Sequence, residues 1–211
     1  MEREIMFASA LAVAYLLPGP DMLLVLQTGA TRGRLCALSA AAGLAGARAL
    51  HVTLAACGLG ALFLASPDLF QAARLLGAAY LLWLGFGLAK GGPLITTMAD
   101  MPATATAASL QAAMRRGFLT NLLNPKALLF CSMLLPQFLP PETTNLAAAF
   151  GRLGLILVAM GAGFDAFLAF VGARLGGWLR SHPKAAQAQQ WSFALLLIGF
   201  GLRLGLGGMV D

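Results

Sequence analysis

The stretch Leu17-Pro18-Gly19-Pro20-Asp21 interrupts the first apolar segment of the chain with two prolines and a carboxylate. A later apolar segment is interrupted in the same way at Asn124-Pro125-Lys126, where a lysine follows the proline. Proline removes a backbone donor and clashes with the preceding turn, so both segments must kink or unwind. The backbone groups freed there cannot face lipid and persist only against protein or a water-filled cavity. Proline-broken segments at corresponding places in two halves of a membrane protein predict a transport site.

The composition is that of a membrane protein. The 211 residues are 59% hydrophobic and only 10% charged, whereas soluble chains carry about 25% charged residues. A helix needs roughly 20 apolar residues to span a bilayer, and the first segment lacks the basic flank and cleavage site of a removable signal peptide. The sequence predicts an all-α polytopic membrane protein with about six spans, or five in an alternative count. The six segments are about 5–27, 37–64, 69–89, 117–139, 146–172 and 191–209.

The net charge of +6 is explained by topology rather than by nucleic-acid binding, because the basic residues lie in alternate, separate loops. Short cytoplasmic loops are enriched in Lys and Arg, which predicts that both termini are outside. The predicted cytoplasmic basic residues are Arg32, Arg34, Lys90, Arg115, Arg116, Arg174, Arg180 and Lys184. Those predicted outside are Arg3, Arg74, Arg152 and Arg203.

The long third connection divides the chain into residues 1–90, a cytoplasmic connection over 91–116, and residues 117–211, within one transmembrane domain. Asp21 lies eleven residues before Arg32, and Lys126 lies ten residues after Arg116. At 1.5 Å per residue, both breaks are about 15–16 Å from the cytoplasmic edge. The sequence therefore predicts two three-helix halves in an inverted repeat. Residues 105–116 form either an interfacial helix or an extension of the fourth span.

Four ionisable residues are predicted near the middle of the membrane: Asp21, Arg48, Lys126 and Asp165. Each such charge costs about 2.5–3.5 kcal/mol at a helix centre, so all four should face the interior of the bundle. Two acids and two bases match the carboxylate and ammonium groups of a zwitterionic amino acid. The alternative is a set of buried ion pairs that only locks the helices together.

The candidate substrate-binding and proton-coupling residues cluster around the two breaks. His51 lies three residues after Arg48 on the same helix face and is either a proton relay or a helix contact. We predict that Asp21, Lys126 and Asp165 are needed for flux but not for membrane insertion. The substrate-binding candidates are Pro18, Gly19, Pro20, Asp21, Asn121, Asn124, Pro125, Lys126 and Arg48, and the proton-coupling candidates are Asp21, Asp165 and His51.

No catalytic or metal-binding pattern is present in the sequence, so we expect neither an enzyme nor a cofactor or metal. Cys36, Cys57 and Cys131 lack metal-ligand spacing. A membrane-embedded thiol oxidoreductase is one alternative function, but it requires a reactive cysteine beside each break. A membrane assembly subunit without transport activity is another.

At these residues the chain resembles the LysE/RhtB family of bacterial amino-acid exporters. The resemblance is carried by three stretches and weakens beyond about Pro141. The first stretch is Leu17 to Asp21, followed by Gln27-Thr28 and Gly33. The second is Gly43 to Phe63, continued by Gly77 to Gly85. The third is Gly117 to Phe138, which includes Asn121, Asn124-Pro125-Lys126 and Pro136-Gln137-Phe138.

The resemblance implies a multi-pass permease of the bacterial inner membrane that exports amino acids or related metabolites by proton motive force. It implies alternating access around a midplane site and periplasmic termini under the topology above. The expected partners are a small-molecule substrate, protons and the lipid bilayer, with a homodimer as an option and no nucleic acid. Arg48 replaces the neutral residue expected in span two, so it either favours a more anionic substrate or pairs with Asp21 or Asp165.

Overall fold

The computed structural model describes residues 2–58, 65–90, 106–139 and 145–206, and every regular element in these ranges is helical. After the short helix Pro125–Leu129 the chain continues as a π-helical turn, Phe130–Leu134, and a 3-10 turn, Leu135–Phe138. The helices are α1 (Glu2–Leu16), α2 (Pro20–Ala56), α3 (Pro67–Ala89), α4 (Ala107–Leu122), α5 (Pro125–Leu129), α6 (Leu146–Arg180) and α7 (Pro183–Leu206).

Three of the described helices are long and apolar enough to cross a membrane: Pro20–Ala56, Gln71–Ala89 and Leu146–Leu179. A fourth candidate is the pair Ala107–Leu122 and Lys126–Phe138, which is bent by 58° at the second proline break. The prediction of an all-α polytopic membrane protein is confirmed. Length and composition alone give three or four spans in the described residues, so the count of six stays a prediction.

The helix α2 is folded back on itself at Gly33, where φ is 80° and ψ is 175°. In one continuous helix the 27 residues from Asp21 to Arg48 would separate their ends by about 40 Å. Instead Nη2 of Arg48 lies 3.5 Å from Oδ2 of Asp21. Residues 20–32 and 34–56 are therefore two antiparallel segments, as expected if spans one and two meet near Gly33.

We expect Gly33→Ala to lower stability by about 1–3 kcal/mol, because Gly33 has backbone angles that are essentially restricted to glycine. A Cβ at this position would meet nothing within 4 Å, so the penalty comes from the backbone alone. Thermal unfolding in detergent measures it. The matched control is Gly163→Ala, also in open space but within the regular helix α6, where alanine is favoured by about 0.5–1 kcal/mol. Equal melting temperatures for the two variants would contradict this account.

Both predicted breaks are present. The first helix ends at Leu16, and α2 begins at Pro20. At the second break Asn124 caps α5, and its side-chain oxygen accepts a hydrogen bond from the backbone N of Lys126 at 3.0 Å. Proline occupies the first turn of both α2 and α5, where its missing N–H costs no helical hydrogen bond.

The predicted connection between the halves is only partly described. Residues 107–116 are continuous with the rest of α4, and the helix begins at the Thr106 cap, whose side chain accepts from the backbone N of Ser109 at 3.2 Å. The structure thus favours an extension of the fourth span over a separate interfacial helix. Residues 91–105 lie outside the described residues.

Glycines allow three pairs of segments to pack backbone against backbone or close to it. A Cβ on Gly117 of α4 would lie 1.9 Å from the carbonyl oxygen of Ala40. A Cβ on Gly172 of α6 would lie 2.6 Å from the carbonyl oxygen of Leu26, and a Cβ on Gly201 of α7 would lie 3.1 Å from that of Ala78 in α3. Numbered by the six predicted spans, these contacts join span two to span four, span one to span five, and span three to span six. An inverted repeat predicts this pattern, because exchanging the halves converts the first two pairs into each other.

Candidate functional site

The carboxylate of Asp21 connects the two breaks. Its Oδ2 accepts a hydrogen bond from Nδ2 of Asn121 at 2.6 Å, and its Oδ1 accepts one from Nδ2 of Asn124 at 3.0 Å. Asp21 lies in the first turn of α2, where the positive end of the helix dipole favours a negative charge. Both amides belong to the α4–α5 break, so this one side chain positions the broken helices against each other.

Arg48 is paired with both acids of the site. Its Nη1 donates to Oδ2 of Asp165 at 2.5 Å, and its Nη2 lies 3.5 Å from Oδ2 of Asp21. The side chains of Arg48 and Asp165 are 4% and 2% exposed, against 17% for Asp21. The guanidinium also lies 5.3 Å from the ring centroid of Tyr15, a cation–π geometry. The alternative that Arg48 pairs with the acids is therefore the observed one.

Lys126 has a different kind of partner. Its Nζ donates to the carbonyl oxygens of Ala14 at 2.6 Å and Leu17 at 3.0 Å. These carbonyls are at the C-terminal end of α1, where the helix dipole is negative. Among the described residues no carboxylate lies within ion-pair distance of Nζ, and the side chain is exposed. Lys126 thus holds α1 against α5 through main-chain acceptors.

These groups surround a central cavity of about 70 Å³, enough for roughly five water-sized positions. Its polar wall is formed by six of the predicted residues: Asp21, Arg48, Asn121, Asn124, Lys126 and Asp165. The rest of the wall is mainly apolar, with Leu11, Met22, Phe130, Leu157 and Phe164 among its members. The four ionisable side chains sum to zero formal charge, so the cavity suits a small ligand that is neutral overall.

Two further cavities lie along the α3–α7 pair. An outer cavity of about 680 Å³ shares Gly19, Asn124, Lys126 and Phe130 with the central cavity. An inner cavity of about 40 Å³ lies beside residues 20–32. We name them outer and inner by the predicted topology of the sequence.

Not every predicted residue contacts the central cavity. Pro18 and Pro20 line the outer cavity, and Pro20 also lines the inner one. His51 is 1% exposed and outside the central wall, and its Nε2 lies 3.1 Å from the backbone oxygen of Asn121. The helix contact proposed for His51 is therefore present. Pro125 is in the first turn of α5, and nothing further is described for its side chain.

Sequence reasoning missed Tyr15, which contacts Arg48 from α1 and donates its hydroxyl to the carbonyl oxygen of Leu157 at 2.9 Å. Its ring also stacks on Phe164, with centroids 5.8 Å apart. The available signal was a tyrosine within an otherwise apolar segment, five residues before Pro20. A tyrosine hydroxyl in such a segment needs an internal partner.

The three cysteines lie at separate places and do not form a redox pair at the breaks. Cys131 lines the central cavity, whereas Cys36 is buried beside Ser109 and Cys57 is exposed at the end of α2. The described wall of this cavity therefore contains no second thiol. Within the ranges that the structure covers, no group of His, Cys, Asp and Glu is arranged to hold a metal ion.

Comparison with known proteins decides the family. The family described as LysE type translocator matches residues 12–208. The chain belongs to the LysE family. This confirms the resemblance seen in the sequence and identifies the chain as a member of a transport family rather than an enzyme family.

Several curated relatives are similar to this LysE-family chain over most of their length. An uncharacterized membrane protein of Pseudomonas aeruginosa is 36% identical over 192 residues, covering 90% of this chain and 88% of the relative. A leucine efflux protein of Enterobacter sp. is 33% identical with the same coverage. A homoserine/homoserine lactone efflux protein of Salmonella typhimurium is 30% identical over 187 residues, covering 89% and 88%. No solved structure matches the chain.

Proposed function

We propose that this protein exports zwitterionic amino acids with an uncharged, mainly aliphatic side chain, and that the substrate binds in the central cavity between the two proline breaks. The observation that carries the proposal is the unequal pairing of the four charges there. Arg48 and the two acids are already paired with one another, whereas among the described residues the ammonium group of Lys126 bonds only to main-chain carbonyls. A substrate carboxylate is a stronger acceptor for an ammonium group than a peptide carbonyl.

The substrate's own ammonium group has acceptors within the same cavity. The carbonyls of Ala14 and Leu17 that now accept from Lys126 become available once Lys126 binds a carboxylate. Asp21 lies partly exposed on the other side of the break, and a carboxylate has about four acceptor sites. We therefore assign the carboxylate of the substrate to Lys126, and its ammonium group to Asp21 and the end of α1.

The size and lining of the cavity favour an uncharged side chain. About 70 Å³ holds the head group of an amino acid, and the side chain must extend along the apolar wall or toward the outer cavity. A third full charge on the substrate would lack a partner, because Arg48 is committed to Asp165 and Asp21. The names of the relatives agree with this class, since they include a leucine and a homoserine efflux protein.

For proton coupling, Asp21 is the acid best placed to exchange a proton with the cavity. Its side chain is 17% exposed, whereas Asp165 is 2% exposed and bonded to Arg48. His51 approaches Asp21 only through Asn121, and its Nδ1 is buried without a partner in the described part of the chain. We assign proton coupling to Asp21 and supporting roles to Asp165 and His51.

For alternating access, the unequal outer and inner cavities suggest which side is open. The outer cavity of about 680 Å³ borders the site, while the inner cavity of about 40 Å³ is nearly closed. We infer an outward-facing state of two inverted halves, residues 1–90 and 117–211, in a bacterial inner membrane with periplasmic termini. Movement of the two halves relative to each other would close the outer cavity and open the inner cavity.

The experiment that tests the proposed function is efflux from cells loaded with a mixture of dipeptides and expressing wild type or Lys126→Ala. We expect wild type to release leucine or a similar amino acid, measured by mass spectrometry of the medium, and Lys126→Ala to release at least tenfold less. Loss of one charge-assisted hydrogen bond of about 1.5–3 kcal/mol accounts for that factor. A protonophore should abolish the wild-type signal.

The matched control is Lys184→Ala, which removes an exposed lysine that lines none of the three cavities. This variant should export at the wild-type rate, with membrane levels of all three proteins compared by immunoblot. If no loaded amino acid distinguishes wild type from cells without the protein, export of this substrate class is wrong. If Lys126→Ala exports normally, the assignment of the carboxylate is wrong.

A further inference from the structure

The outer cavity is lined by cations without any acid. Arg74 of α3, Arg203 of α7 and Lys126 face it, and no described residue in its wall is an Asp or a Glu. Arg203 is exposed, and Arg74 is partly buried, with an Nε that has no hydrogen-bond partner in the described structure. A cleft with one sign of charge and apolar walls concentrates ligands of the opposite sign.

The inner cavity repeats this arrangement at the other end of the same helices. Arg32 and Arg116 line it, again without an acid in the described wall. Pro20 belongs to both cavities, while Leu81 and Leu84, one helical turn apart on α3, belong to the outer and inner cavity respectively. An apolar core cluster that contains Leu23, Leu81, Leu84 and Leu197 lies at this level. The two basic cavities are therefore separated by an apolar layer beside the first break.

We propose that Arg74, Arg203 and Lys126 form a second binding site in the outer cavity, which holds the carboxylate of the exported amino acid after it leaves the central cavity. This proposal rests on the proposed function, because it takes an amino acid as the substrate. Lys126 lines both cavities and transfers the carboxylate from one to the other. Asp21 lines only the central cavity, so the outer site selects for the carboxylate and not for the ammonium group.

The first test measures the charge selectivity of the cavity without requiring transport. The background is Cys57→Ser with Cys131→Ser, which removes the exposed native thiol and the thiol that lines the central cavity and leaves the buried Cys36. A reporter Leu204→Cys is introduced into the wall of the outer cavity. Its reaction rates with an anionic sulfonate and a cationic ammonium methanethiosulfonate are compared in detergent. We expect the anionic-to-cationic rate ratio to fall about tenfold when Arg74→Gln and Arg203→Gln are added.

Two controls separate charge from folding and from general surface effects. Arg74→Lys with Arg203→Lys should keep the high ratio, because the charge remains. Arg152→Gln removes an exposed arginine that does not line this cavity and is predicted on the same side of the membrane. The anionic-to-cationic rate ratio should therefore stay high in this variant as well. An unchanged ratio in the double Gln variant overturns the proposal.

The second test asks whether the cavity holds the substrate's carboxylate. Leucine should slow modification of the reporter, whereas leucinamide, which lacks the carboxylate, should not. Removal of both arginines should abolish the protection. Protection by chloride alone, or equal protection by leucine and leucinamide, would overturn the assignment of the site to the substrate. Leucine efflux by the unmodified protein is measured in parallel, so that failure of the outer site is distinguished from failure of the proposed function.

Discussion

Arg48→Gln is expected to destabilise the protein by about 3–5 kcal/mol, the usual cost of removing one partner from a buried ion pair. The reason is that two acids, Asp165 and Asp21, then share the interior without their cation. Asp165→Asn is expected to cost less, because Arg48 keeps Asp21 as a partner at 3.5 Å. The measurement is the melting temperature of the purified variants in detergent, together with the fraction that elutes as a monodisperse species.

The double variant Arg48→Gln, Asp165→Asn provides the control for this asymmetry. Removal of both members leaves only Asp21, which is partly exposed and retains two amide donors. The double variant should therefore regain most of the stability that Arg48→Gln alone loses. If Asp165→Asn proves as destabilising as Arg48→Gln, then Asp21 does not compensate the charge of Arg48. Equal stability of all four proteins would show that the pair contributes nothing to folding.

Gly117→Ala is the second substitution for which we expect a large effect. Its Cβ would lie 1.9 Å from the carbonyl oxygen of Ala40, so α4 and the second segment of α2 would have to separate by more than 1 Å. Forcing an extra carbon into such a packed contact typically costs about 1–3 kcal/mol or more. Because Asn121 lies on the same helix, the displacement would also weaken the hydrogen bond that Asn121 donates to Asp21.

Gly151→Ala is the matched control, since a Cβ at Gly151 would meet nothing within 4 Å. Thermal unfolding of both variants tests the packing, and export measured at equal membrane levels tests the displacement of the site. We expect Gly117→Ala to melt lower and to export more slowly, and Gly151→Ala to match wild type or exceed it slightly. A Gly117→Ala variant with wild-type stability would show that the two helices are not in this close contact.

Much of the site could be predicted from the sequence because membrane burial restricts where charges and prolines are tolerated. Two breaks and four charges at similar predicted depth were enough to predict that Asp21, Arg48, Lys126 and Asp165 would converge, and they line one cavity. Charges in a membrane interior are too costly to face lipid.

The pairing within this set could not be predicted, because it depends on helix rotation and on side-chain reach. The sequence left open whether Arg48 contacts substrate or an acid, and only the packing of α6 against α2 brings Asp165 to 2.5 Å from Arg48. The main-chain partners of Lys126 could not be predicted either, since carbonyls at a helix end carry no sequence signal. Gly33 belongs to the stretches that carry the family resemblance, but its positive φ is seen only in the structure.

The most direct test of the central claim is a binding cycle measured by calorimetry on the purified protein. Leucine and leucinamide are titrated into the otherwise wild-type protein and into Lys126→Gln, both carrying Arg74→Gln and Arg203→Gln so that the arginines of the outer cavity do not contribute to the preference for the carboxylate. If the ammonium of Lys126 binds the substrate carboxylate, the protein that retains Lys126 should prefer leucine by about 10- to 100-fold, the equivalent of one charge-assisted hydrogen bond, and Lys126→Gln should lose that preference. An equal preference for leucine in both proteins would contradict the account, because the carboxylate would then be recognised elsewhere.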